Sequence, residues 1–145
     1  MYKYAKLALL SIALSPAAFA YDNHKTSMPQ SVAPESAQAY IISPKDGATV
    51  SETFTVKFGL KNMGVSPAGL KKKHTGHHHL LVDAKELPPL DRPLGSDVKH
   101  FGGGQTETQL TLPKGEHTLQ LILGDHMHIP HSPAVVSEKI TITVK

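Results

Sequence analysis

Ten histidines stand in a chain of 145 residues that contains no cysteine. His77, His78 and His79 are consecutive, with His74 just before them. His126, His128 and His131 crowd into the stretch Asp125-His126-Met127-His128-Ile129-Pro130-His131. His100 opens the segment His100-Phe101-Gly102-Gly103-Gly104, while His24 and His117 stand apart. Neutral imidazole ligates copper, zinc, nickel and iron, and a set of three or four without thiolate leans toward Cu(II), with Zn(II) next.

Spacing says which of them can converge. On a strand, side chains alternate between faces. If His78 shares the face of Leu80 and Val82 it turns inward, and a buried imidazole then needs a hydrogen-bond partner. His77 and His79 in that case face outward together. Their Cα atoms would be about 6.6–7 Å apart, at a rise of about 3.3–3.4 Å per residue, close enough for two rings to share one ion. The expected ligands are therefore His77, His79, His128 and His131, with His100 or His126 as substitutes. Asp125 is placed behind them, accepting the second N–H of a ligand ring. His78 and His117 are expected as supporting, buried hydrogen-bonding residues. Because the ligand form is neutral, binding should weaken below about pH 6.

Two other readings compete. The histidines could form a hydrogen-bond network that braces loops in a structural or interaction module with a cell-envelope partner. A metal-assisted enzyme would need an open coordination position and a general base, and nothing in the sequence nominates its substrate or a catalytic residue. Gly102-Gly103-Gly104 does not sit between a strand and a helix as a phosphate loop requires. There is no GxSxG elbow, and Lys71-Lys72-Lys73 reads as a solvated loop.

The elements that must position these residues are strands. Phe54, Val56 and Phe58 alternate with Thr55 and Lys57. Leu119, Leu121 and Leu123 share one face, as do Ile140, Ile142 and Val144. Turn signals separate the runs at Ser43-Pro44-Lys45-Asp46-Gly47 and Pro113-Lys114-Gly115-Glu116. Strands are expected at 39–42, 50–60, 77–83, 106–112, 117–123 and 135–144, with irregular chain at 61–74, 85–98 and 124–134. Some seven short strands imply an all-β, antiparallel, immunoglobulin-like sandwich over residues 38–145. Ahead of it, Lys3 and Lys6, the apolar run Leu7 to Leu14 and Ala18-Phe19-Ala20 have the layout of a signal peptide over residues 1–20. Residues 21–37 read as a flexible polar leader. Removing Lys3 and Lys6 takes the basic count from 15 to 13 against 12 acids, which leaves no nucleic-acid footprint. No later stretch is long and apolar enough to span a membrane. The expected location is periplasmic or secreted.

Three stretches carry a resemblance: GHHHLLVD (Gly76–Asp83), HFGGGQTE (His100–Glu107) and GEHTLQLILGDHMHIPHSP (Gly115–Pro133). Together with the opening YIISPKDGATV and the closing SEKITITV, they resemble a family of small exported bacterial domains to which no activity is assigned. The resemblance spans about residues 39–144 and implies an exported β domain. Its motif positions are His77, His78, His79, His100, His117, Asp125, His128 and His131, with His126 outside the motif. Where the family often has paired prolines after the last histidine, this chain has Pro133-Ala134.

Overall fold

A computed structural model describes residues 28–145. The expected signal peptide and the first part of the leader lie outside the described residues. Nine strands follow in chain order: β1 (Gln38–Ser43), β2 (Thr49–Val50), β3 (Thr53–Lys61), β4 (Gly64–Val65), β5 (Thr75–Val82), β6 (Lys99–His100), β7 (Glu107–Thr111), β8 (Gly115–Gly124) and β9 (Ile140–Val144). The described residues contain no helix.

The strands form two sheets, one in the order β1-β3-β7 and a larger one in the order β2-β9-β8-β5-β4, with β6 also paired to β5. Their facing sides enclose the main core. Val56, Phe58 and Leu110 come from the smaller sheet; Leu80, Leu121 and Ile142 are among those from the larger. Period-two alternation is why Leu119, Leu121 and Leu123 of β8 are all fully buried. Each contributes about 1.5–3 kcal/mol by leaving water.

This is the all-β, sandwich-like fold that the alternation implies, with three differences. The larger sheet is mixed, because β2 runs parallel to β9 and β4 parallel to β5. Both are two-residue strands where the chain merely passes alongside an edge, too short to leave a periodic signal. The run at 50–60 is also divided, with Ser51 and Glu52 separating β2 from β3. Val136, expected in the last strand, makes an isolated bridge to Ile122 instead.

β5 is an interior strand of the larger sheet, next to its β4 edge. Along one edge it pairs with β8, from His77↔Gly124 to Val82↔Leu119. Its other edge is divided between β4, at Thr75 and Gly76, and β6, at His79 and Leu80. The sheet's outer face is roofed as well. Leu81, Ile122 and Val98 form a second apolar cluster with Leu90, Leu94 and Val136, drawn largely from the proline-rich connection after β5. The described part of the leader lies against the same side of the fold. Gln30 Nε2 donates to Leu90 O at 2.6 Å and Pro130 O at 3.0 Å. Ala33 is buried, and its N–H donates to Ser132 O.

A clasp closes the other end of the β5–β8 pair. His117 Nδ1 is 2.7 Å from Asp83 Oδ2 and its Nε2 is 2.9 Å from Pro113 O. Thr118 N–H donates to Asp83 Oδ1. With an acceptor at each ring nitrogen, the protonated imidazole is favoured. The Asp83 hydrogen bond chiefly, then the Pro113 carbonyl, raises the His117 pKa above its usual value. A raised folded pKa stabilises fully below the unfolded value of about 6.5 and ceases to do so as pH rises through the folded value. Thermal unfolding of the protein and His117→Ala from pH 5.5 to 8.5 is therefore expected to show the largest gap at the acid end, shrinking above pH 7. A gap that widens with pH would contradict the clasp.

Candidate metal centre

The three histidines of β5 are divided by its alternation. His78 points into the sandwich, its ring centroid 5.2 Å from that of Phe58, which in turn lies 4.8 Å from Phe101. Among the described residues neither of its ring nitrogens has a hydrogen-bond partner. Burial holds its pKa down at about 4, so the ring is neutral. His77 and His79 point to the opposite face, with centroids 4.7 Å apart. They face away from the sandwich core, as the spacing implies, yet they are not exposed: His77 is 0% and His79 1% accessible. β6 and the loop after β8 close over them.

Two further rings complete the group. His100 lies directly across from His79 in the β5–β6 register, with centroids 5.0 Å from His77 and 5.1 Å from His79. His128 arrives from the other side, on the loop after β8, at 5.0 Å from His77 and 4.6 Å from His100. His128 Nε2 is 3.1 Å from His100 Nε2. One ring nitrogen each from His77, His79 and His100 lie within 4.8 Å of one another. With metal–nitrogen bonds of about 2.0–2.1 Å, a tetrahedral site places its nitrogens about 3.3 Å apart. The His100–His128 pair is already at that spacing.

Glycines make room for the rings. A Cβ on Gly124 would fall 2.6 Å from His79 Cε1, and one on Gly102 would fall 2.6 Å from His100 Nε2. The loop carrying His128 is built by Asp125, whose Oδ1 accepts the N–H of Met127 at 2.9 Å and of Ile129 at 3.1 Å. Its Oδ2 accepts the Ser31 hydroxyl at 2.6 Å. Burial alone would push this carboxyl's pKa up. The Ser31 and backbone hydrogen bonds outweigh it, and His126 adds a little, so the pKa lies below the usual value. Asp125 thus holds the main chain of the loop and makes no hydrogen bond to a ring of the cluster. The Leu94 N–H donates to His128 O, tying the loop to the connection after β5.

The remaining sequence candidates lie elsewhere. His131 is buried and its Nε2 is 3.1 Å from Thr75 O. It packs across Gly76, whose Cβ position is 2.8 Å from its Cε1, on the side of β5 that His78 shares. His126 is half-buried, with Nδ1 3.8 Å from Asp125 Oδ2, and borders a cavity with Ser31, His74 and Lys71 to Lys73. His117 belongs to the clasp, some five residues along β8 from Ile122 and so roughly 17 Å away. The pairing that brings His100 in could not be read from its two-residue strand; the adjacent glycines were the available signal for a close approach.

Electrostatics favours the neutral ligand form of His77, His79 and His100. Burial chiefly, and then the neighbouring rings His128 and His100, lower His77 to about 4. Burial, then His77, His100 and His128, lower His79 to about 3. Burial and His128 also lower His100. The onset near pH 6 expected from free imidazole therefore does not apply to His77 and His79, for which protons compete only near pH 4 and below.

Comparison with family models matches residues 56–145 to DUF4399, a domain of unknown function. No curated protein and no solved structure matches.

Three substitutions test this packing. Gly124→Ala drives a methyl against the His79 ring and is expected to lower stability by about 1–3 kcal/mol in urea unfolding. Gly103→Ala meets only the Gln105 side chain and should be near neutral. His78→Leu removes two buried, unpartnered nitrogens and is expected to raise stability by about 1–3 kcal/mol. A lower melting temperature for this variant would mean that His78 has a stabilising polar role.

Proposed function

The chain belongs to the DUF4399 family, a domain of unknown function, and from that premise we propose that it is an exported histidine-rich metal-binding domain. Its ion is copper first and zinc second, held by His77, His79, His100 and His128. The observation that carries this reading is the set of buried ring nitrogens without partners among the described residues: both of His77 and Nδ1 of His79, beside a His100–His128 pair at near-ligand spacing. Burying such groups unpaired costs about 1–3 kcal/mol each, and a cation shared among the rings offsets it. An all-imidazole set without thiolate or carboxylate suits Cu(II), which also leads the affinity order over Zn(II) at nitrogen sites. Export rests on the amino-terminal pattern of Lys3, Lys6, Leu7 to Leu14 and Ala18-Phe19-Ala20.

The bracing-network alternative needs imidazoles bonded to backbone carbonyls. His131 and His117 are bonded so, but they stand apart from the cluster, and among the described residues His77 has no such bond.

Titration of the metal-stripped protein with Cu(II) and Zn(II) tests the proposal. One ion should bind per chain, and free ion at 100 times Kd should stabilise the fold by about 2.7 kcal/mol. His77→Ala with His79→Ala should abolish that stabilisation, while His117→Ala and His126→Ala retain it. Binding no tighter than that of a free histidine-rich peptide would overturn the assignment.

A further inference from the structure

We propose that this site hands its ion on by ligand exchange through the His100 side, to an acceptor that offers nitrogen or sulfur donors. The inference rests on the metal reading above and concerns what the bound ion is for. Three observations carry it.

The first is a gradient of burial across four rings. His77 and His79 are sealed, His128 is half-buried, and His100 is exposed. An incoming donor therefore meets the cluster from one direction.

The second is a matching gradient of restraint. His77 and His79 belong to an eight-residue strand paired along both edges. His100 sits on a two-residue strand whose described partner is β5. It is followed by Phe101 and then three glycines, and its ring rests against Gly102, which has no side chain to hold it. The ring that is open to solvent is thus also the one on the shortest element. The buried pair can retain an ion while His100 leaves.

The third is that the domain has apolar cores of its own. Two apolar clusters, the β5–β8 ladder and the Asp83–His117 clasp close the domain through protein contacts. A structural metal is needed where a small domain lacks such a core. Here the ion can come and go.

In the exchange, the bond from the ion to His100 breaks as a bond from the acceptor's donor atom forms. No electron moves. If the donor arrives protonated, as a thiol does, the freed imidazole takes the proton.

The test loads the protein with Zn(II) alone and mixes it with rising excess of the chromogenic chelator pyridylazoresorcinol in a stopped-flow instrument. The release rate is expected to climb in proportion to chelator concentration. His100→Ala should still take one ion and release it about tenfold faster, equivalent to about 1.4 kcal/mol of barrier. A release rate independent of chelator, or one unchanged in His100→Ala, would overturn ligand exchange through this side while leaving the metal site intact. Failure to load one ion per chain would instead overturn the metal reading itself.

Discussion

Three consecutive imidazoles on an interior strand of a sheet constrain much else in this domain. Alternation allows no arrangement in which all three share a face. Here one enters the sandwich and two leave it. Both sides of the sheet are covered, so all three are removed from water, and none can carry a charge near neutral pH without a large penalty. The lowered pKa values of His77, His78 and His79 follow from that single fact. A polar group placed so deep needs a partner, and the partners differ by face. His78 has aromatic neighbours, Phe58 and, beyond it, Phe101. His77 and His79 have two more imidazoles.

The surrounding chain serves this arrangement in ways that have little to do with the sandwich core. Gly124 and Gly102 give up side chains so that rings can lie where a Cβ would be. Asp125 spends both carboxylate oxygens on the loop that delivers His128. His128 itself has a φ of 65°, in the left-handed region that non-glycine residues adopt infrequently, and the Asp125 contacts hold it there. The leader residues Gln30 and Ser31 reach the same loop, at Pro130 and Asp125. Residues that sequence reasoning assigned to a flexible leader thus buttress the cluster.

What the sequence made legible was whatever repeats with a period. The alternation of β3, β8 and β9 and the inward turn of His78 were readable because a half-buried strand leaves a pattern over five or more residues. The two-residue strands β4 and β6 leave none, and β6 is the element that places His100. The leading ligand set therefore included His131 and held His100 in reserve, whereas the structure gathers His100 with His77, His79 and His128 and sets His131 across Gly76. The roof over Leu81 and Ile122 on the sheet's outer face was hidden for a related reason. The proline-rich connection reads as irregular chain, and irregular chain carries no signal for the face on which its Leu90, Leu94 and Val98 will settle. The Asp83–His117 clasp joins residues 34 apart, a separation at which a pair of polar side chains has no local signature.

The divided edge of β5 has one further consequence. Strand edges with free N–H and C=O groups invite another chain to pair with them, and a run of neutral residues such as His77 to Val82 has no charge to repel a visitor. β4 covers the edge at Thr75 and Gly76 and β6 covers it at His79 and Leu80. Between and beside them, the N–H of Ser66 donates to Gly76 O and that of Phe101 to His78 O. Two short segments running in opposite directions thus deny the strand to other copies of the chain. Opening β6 would expose part of the stretch most prone to intermolecular pairing, so the segment that carries His100 also guards the domain against self-association.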